Sequence, residues 1–569
     1  MRAETRSDIW RHGIFPGAAA GIAGGIVFGL TWIEFGTLAS VSSIFRVSSP
    51  PLGFAIHMLI SIIFGIGFGM LVWHQRPGTG ETMIWGLTYG AFLWFLGALT
   101  LFPIFRGLPP SWSIETAQAQ FPALLGHLLY GTAAGLAIVF LNYGRQAAGG
   151  ALSITWGALA RGLAAGLLAA YLCGLALGAQ DAFSSFSEAM GPTPPLTGWA
   201  LLLALGGFAG ITFAALYPKP VDRIGTGIIH GVAFGFLFWV VVVETLLPLT
   251  SHGKLGWDVQ SARASFVLFP ASLFLGGLLA TFYKIFDKLI ELAFAEDVGR
   301  WDDEGYGTQS VRAIYRGAAG GLVGGILFTF VMWQIGALPI VAELVGSDSV
   351  AVGIVVHLCI SMVIGLSYGI LFQRQSHDFG AALGWGVADG FCWWILGWLT
   401  LLPIFLGGAP IWYAVSVSQT IPALAGHLIY GAGLGLTFFW LESRSDPWWL
   451  SPAQAERDKL AALRDSVLSS APALWSLVAL IALTIPVLLV TTGPPAGDSE
   501  PNPYETPDEP SVYSLLQPGA VDRIVEARGE ETVEALIQQV WKLDRHVVRT
   551  TLDEQELGTG NPLGHPSSD

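Results

Sequence analysis

Segments rich in apolar residues and glycine recur along most of the chain, each about 20 residues long. An α-helix of this length crosses the hydrocarbon core of a bilayer and satisfies its own backbone hydrogen bonds there. The composition agrees, because 53% of residues are hydrophobic and only 12% are charged, against about 25% charged residues in soluble domains. We therefore predict an all-α integral membrane protein.

The pattern predicts thirteen transmembrane helices. The first follows a stretch that carries Arg2, Arg6 and Arg11, and a cleaved signal peptide is the competing interpretation. We retain it as a helix, because it begins a unit that the chain repeats. The expected spans are 15–36, 52–73, 80–104, 121–142, 153–178, 196–217, 224–248, 265–286, 313–337, 350–372, 379–404, 421–441 and 471–492.

The chain resembles itself at two spacings. After a shift of 300 positions, residues 17–137 align with residues 317–437 without a gap, and 46 of 121 positions are identical. A shift of 145 positions reveals a fainter middle copy that keeps many of the glycines and prolines. Each copy contains four helices, so all copies enter the membrane from the same side. The sequence predicts three parallel four-helix repeats, an arrangement known among transporters.

This organisation divides the chain into five expected segments. Three are four-helix membrane repeats, and the second has diverged most. A linker with the last helix follows, and then an acidic tail with one amphipathic helix. The segments are repeat 1 (1–147), repeat 2 (148–298), repeat 3 (299–445), the linker and thirteenth helix (446–492) and the tail (493–569).

The charges predict the orientation of the helices. With the N-terminus in the cytoplasm, 18 of the 22 Lys and Arg residues that precede the tail lie on the inner side, as the positive-inside rule requires. The odd number of helices then places the C-terminal tail outside the cell. The tail holds 5 Lys and Arg against 15 Asp and Glu, and no basic patch indicates a nucleic-acid partner. We expect a multi-pass protein of the plasma membrane.

The amphipathic helix of the tail needs a surface to cover its apolar face. We expect this helix to dock on a membrane-protein partner or on the outer loops. The apolar positions are Val533, Leu536, Ile537, Val540, Val547 and Val548.

Four histidines stand inside predicted helices, in two matching pairs. His57 and His127 lie about six residues into the second and fourth helices. His357 and His427 occupy the aligned positions, or frames, 300 residues later. Each begins a stripe of small residues at four-residue spacing, which lies on one helix face. The paired helices enter from the same side, so the two imidazoles of a pair should lie at one depth and face each other.

Two interpretations of these histidines remain open. An ionisable residue inside a membrane helix indicates a functional site, and imidazole is a common ligand of iron, copper and zinc. We therefore expect His57, His127, His357 and His427 to bind haem b or a transition metal. In the alternative, each histidine only hydrogen-bonds a neighbouring hydroxyl or carbonyl group, with Tyr130 and Tyr430 as candidate partners. The middle copy has Leu202 and Leu275 in these frames, so both histidines are missing together there.

Other features narrow the class of function. The three cysteines form no C-x-x-C pair, so neither a disulfide framework nor a cysteine zinc site is indicated. The sequence contains no P-loop, no H-E-x-x-H and no G-x-S-x-G motif, which argues against an enzyme of those classes. Pro110 and Trp112 match Pro410 and Trp412 in a loop on the outer side, which suggests a short interfacial segment with a tryptophan anchor.

The leading hypothesis is an electron-transfer subunit whose histidine pairs bind haem or a metal. The first alternative is a transporter or channel for a small solute. The isolated polar residues of the spans, such as Glu34, Glu244 and Asp389, do not repeat across the copies, which weakens that alternative. A structural subunit of a membrane complex is the second alternative.

Overall fold

The computed structural model describes most of the membrane part of the chain, and every described element in it is a helix. The linker before the last helix and the acidic tail with its expected amphipathic helix lie outside the described residues. The described residues are 10–45, 47–73, 78–146, 155–178, 195–218, 221, 224–294, 306–373, 375–444 and 471–491.

Thirteen helices in the described part are long and apolar enough to cross a membrane, as the sequence predicts. We number them α1 to α13 in chain order. Their bounds are His12–Glu34, Pro50–Val72, Thr79–Phe105, Phe121–Leu141, Trp156–Gly178, Gly198–Leu216, Ile224–Ser251, Leu268–Leu289, Ala313–Gln334, Val350–Phe372, Phe379–Phe405, Ile421–Ser443 and Ala471–Val490.

The first twelve helices pack in groups of four with the same contacts in each group. The first helix of a group packs on the second and the fourth, and the third packs on the fourth. Close approach comes from glycines that meet the backbone of the partner helix. A methyl group at Gly131 of α4 would overlap the carbonyl of Gly86 in α3, and one at Gly431 of α12 would overlap that of Gly386 in α11.

The third helix of each group changes its winding halfway. Trp94–Leu101 in α3, Trp239–Leu246 in α7 and Trp394–Leu401 in α11 are π-helical, between α-helical flanks. π-Helical turns are rare, and they occur frequently at functional sites.

The last helix, α13, packs against α3, α7 and α11. It also contacts three short helices that follow those helices in the chain, Ile114–Ala119, Val259–Ala264 and Ala414–Ser418. The side chain of Thr88 in α3 donates a hydrogen bond to the carbonyl of Ala473 in α13 at 2.9 Å. α13 therefore connects the three groups of helices.

Tryptophans precede the three short helices, and their environments differ. Each indole Nε1 donates to a threonine hydroxyl twelve residues earlier, at 3.0–3.1 Å. Trp112 is 63% exposed, but Trp257 and Trp412 are fully buried. Trp412 is therefore not the interfacial anchor that its sequence suggests. Its ring centroid lies 6.1 Å from that of Phe274 in α8.

Candidate functional site

His57 is buried on the face of α2 that meets α1. Its Nε2 lies 2.9 Å from the carbonyl oxygen of Gly25 in α1. A carbonyl oxygen only accepts hydrogen bonds, so Nε2 carries the proton and donates it. This bond leaves Nδ1 as the nitrogen with a free lone pair.

His127 uses the opposite nitrogen. Its Nδ1 donates to the carbonyl oxygen of Ala123, one turn earlier in α4, at 2.6 Å. The free lone pair is then on Nε2. This atom faces the π-helical part of α3, since a methyl group built on Gly97 would lie 3.8 Å from it.

The ring of Phe28, in α1, contacts both histidines. Its centroid lies 5.4 Å from that of His57 and 4.7 Å from that of His127. The structure thus brings the two predicted residues onto a single phenylalanine. Trp32 lies one turn further along α1, and its ring centroid is 4.9 Å from that of His57. The surroundings of the pair are therefore mostly aromatic.

His357 and His427 have the same arrangement 300 residues later. His357 Nε2 donates to the carbonyl of Gly325 at 3.2 Å, and His427 Nδ1 donates to that of Ala423 at 2.7 Å. The ring centroid of Phe328 lies 5.1 Å from that of His357 and 4.6 Å from that of His427. Two equivalent histidine pairs are therefore present in the described part of the chain.

The tyrosines suggested as partners of the histidines bond elsewhere. The hydroxyl of Tyr130 donates to the carbonyl oxygen of Ser61, and that of Tyr430 donates to the carbonyl oxygen of Ser361, both at 2.7 Å. The histidines find backbone carbonyl groups instead. Hydrogen bonds of this kind suit both open interpretations, because metal-ligating histidines usually donate their second N–H to such a group.

The second group of helices has other residues at the positions aligned with the histidines and the phenylalanine. Cys173 stands in the frame of Phe28, and Leu202 and Leu275 stand in the frames of the histidines. These three side chains line an apolar cavity of about 30 Å³. Sequence reasoning overlooked Phe28 and Phe328, although they have the same pattern as the histidines: identical at the shift of 300 and replaced at the shift of 145.

Each histidine pair offers a metal two protein ligands. Among the described residues, no three His, Cys, Asp or Glu side chains come together as a metal cluster. A metal held here would take two protein ligands and complete its coordination from another source. Haem iron needs only axial ligands from the protein.

His230 of α7 is a single histidine in a different setting. Its Nδ1 donates to the carbonyl of Thr226 at 2.8 Å, and its ring meets that of Tyr217 at 5.3 Å. Its Nε2 is buried and has no hydrogen-bond partner among the described residues.

Two carboxyl groups are buried in the described parts of the spans. Glu244, in the π-helical part of α7, accepts a hydrogen bond from the hydroxyl of Ser265 at 2.8 Å. Asp389 of α11 is 4% exposed, and its Oδ2 has no partner among the described residues.

Comparison of the chain with protein-family models, with curated proteins and with solved structures finds no match, so the geometry of these sites is the basis for assigning a function.

Proposed function

We propose that this chain is a plasma-membrane protein with two histidine-paired metal sites, His57 with His127 and His357 with His427. Each pair would hold haem iron or a transition metal ion, and the protein would act as an electron-transfer subunit. The architecture we propose is three parallel four-helix repeats, followed by α13 and a tail outside the cell. The tail would bind a membrane-protein partner, and the bilayer surrounds the rest.

One observation carries the proposal: each histidine donates one ring N–H to a backbone carbonyl, which leaves the lone pair of the other ring nitrogen free. Such bonds orient metal-ligating histidines and select their tautomer. The arrangement occurs twice with the same choice of nitrogen at each position. In the middle copy the histidines and the phenylalanine are replaced together, which is the behaviour expected of residues that act as one site.

The phenylalanine adds a condition for binding. Phe28 contacts both imidazoles, so a metal or a porphyrin shared by the two histidines requires this ring to turn away. The ring of Phe28 already fills the space beside Gly126, where a methyl group would overlap it, and Gly97 lies next to Nε2 of His127. A single ion needs a smaller displacement of the ring than a porphyrin does.

Metal analysis and a visible absorption spectrum of the purified full-length protein test the proposal. We expect up to two equivalents of metal per chain, and a spectrum with haem bands if the group is haem. His57→Leu and His357→Leu, which copy the residue of the middle repeat, should each remove one equivalent, and the double variant should remove both. His230→Leu is the matched control and should retain the full content. Metal content that is the same in all variants would refute the site.

A transporter of a small solute is the second candidate, because buried carboxyl groups in spans are typical of ion and proton pathways. Glu244 and Asp389 supply two such groups. Flux into proteoliposomes separates this function from electron transfer, since an electron-transfer subunit would show a spectrum and no flux.

A further inference from the structure

Asp389 of α11 is a carboxyl group at a position where the equivalent helices have none. In the same frame, α3 has Tyr89 and α7 has Phe234. Helices with the same packing thus accept a phenol, a phenyl ring or a carboxyl group at this place. The packing of α11 therefore does not explain a buried acid.

Hydrogen bonding does not explain the acid either. The hydroxyl of Tyr89 donates to the carbonyl of Phe64 in α2 at 2.8 Å. In α10, the corresponding carbonyl belongs to Ile364, and it accepts from the hydroxyl of Ser367 at 2.7 Å. The acceptor that Tyr89 satisfies is already satisfied without Asp389.

Oδ2 of the carboxyl group has no hydrogen-bond partner among the described residues, and the group has ionisable neighbours. Asp389 lies within electrostatic range of Tyr368 in α10, Tyr430 in α12 and Cys392 on its own helix. None of these neighbours is a cation. A bare carboxylate in an apolar interior is costly, so the group must hold a proton or meet a mobile cation.

Tyr368, one of these neighbours, is bonded to a second hydroxyl group. The hydroxyl of Tyr368 shares a hydrogen bond of 2.8 Å with that of Ser376, just beyond the end of α10. Ser376 precedes His377 and Asp378 in the chain, and Nε2 of His377 lies 3.2 Å from Oδ2 of Asp378. At the frame of Tyr368, the other copies have Phe68 and Phe213, so the tyrosine and the acid occur together in one copy only.

We propose that Asp389 is a proton-binding site, which exchanges its proton through Tyr368 and Ser376 at the end of α10. The ligand is the proton, and the site does not depend on the histidine pairs. It would give the third group of helices a protonatable centre that the first two groups lack at this position.

Carbodiimide labelling of the full-length protein in lipid vesicles tests the site, because carbodiimides react with protonated carboxyl groups in apolar surroundings. We expect label on the peptide that contains Asp389, weaker label at alkaline pH, and loss of this label in Asp389→Asn. Glu244→Gln should retain it. If Asp389→Asn does not fold, Asp389→Tyr copies the residue of α3 and serves instead. Absence of label at Asp389, or protection by sodium ions at constant pH, would overturn the proposal.

Infrared spectroscopy tests the route. The carbonyl stretch of the protonated Asp389 should shift after transfer to D₂O, and Asp389→Asn should lack this band. Tyr368→Phe, which copies the other two repeats, should retain the band and slow its shift by about a hundredfold, the lower range for a positioned proton-transfer group. An unchanged rate in Tyr368→Phe would exclude the hydroxyl route.

Discussion

Arg263 donates a hydrogen bond from Nε to the carbonyl oxygen of Leu489 at 2.6 Å, and so attaches the helix Val259–Ala264 to the end of α13. Its Nη2 reaches the carbonyl of Thr491 at 2.8 Å. Gln118 of the helix Ile114–Ala119 binds the carbonyls of Leu488 and Thr491 at 2.7 and 2.9 Å. The last carbonyls of a helix have no partner within the helix, and here two neighbouring segments satisfy them.

Arg263 and Gln118 cap the C-terminal end of α13, and removing either side chain should destabilise the protein. Arg263→Ala should lower the free energy of unfolding by about 1–3 kcal/mol, because buried carbonyl groups lose their donors and a cation leaves the negative end of the helix dipole. Burial lowers the pKa of Arg263, but a guanidinium group stays charged at physiological pH. Gln118→Ala should have a smaller effect in the same direction. Denaturant titration in detergent measures both.

The control for the caps is Ser418→Ala. Ser418 stands in the same frame on the helix Ala414–Ser418, but its hydroxyl donates to the carbonyl of Val415 within that helix. Equal losses in all three variants would show that the caps of α13 are not the cause.

The tryptophans of the three loops should differ in their contributions to stability. Trp412→Ala should cost about 3–5 kcal/mol, as for a large aromatic side chain removed from a packed interior. Trp112→Ala removes a side chain that is 63% exposed and should cost much less, although both lose the same bond to a threonine. Unfolding of the two variants side by side provides the measurement, and equal costs would contradict the difference in burial.

Glycine contacts between helices should tolerate no methyl group. Gly131→Ala would push against the carbonyl of Gly86 and should destabilise the protein by about 1–3 kcal/mol through overpacking. Gly277→Ala is the control, since a methyl group there would meet Val232 at 3.7 Å, an ordinary contact. That variant should be neutral or slightly stabilising, because alanine favours the helix. Thermal unfolding compares the two.

The distribution of Lys and Arg is the basis of the orientation that we propose. Protease added to intact cells should remove an epitope placed after residue 560, because we expect the tail outside. An epitope at the N-terminus should resist cleavage until the cells are lysed. The opposite pattern of protection would reverse the proposed orientation.

The sequence alone was sufficient to identify thirteen helices that are long and apolar enough to cross a membrane. A membrane helix is a local property, because its length and apolar composition decide whether it can cross hydrocarbon. The matched positions of His57 and His127 also predicted that these two residues converge, since both helices enter from the same side and place them at one depth.

Only the tertiary structure decided how the helices turn toward each other. Helices that are apolar on all sides have no periodic pattern to indicate their buried face, so the contact of Phe28 with both histidines was not predictable from α1 by itself. The same reason applies to the contacts of α13 with α3, α7 and α11, and to the burial of Trp412 where Trp112 is exposed. These relationships depend on which surfaces meet, and that depends on packing between segments distant in the chain.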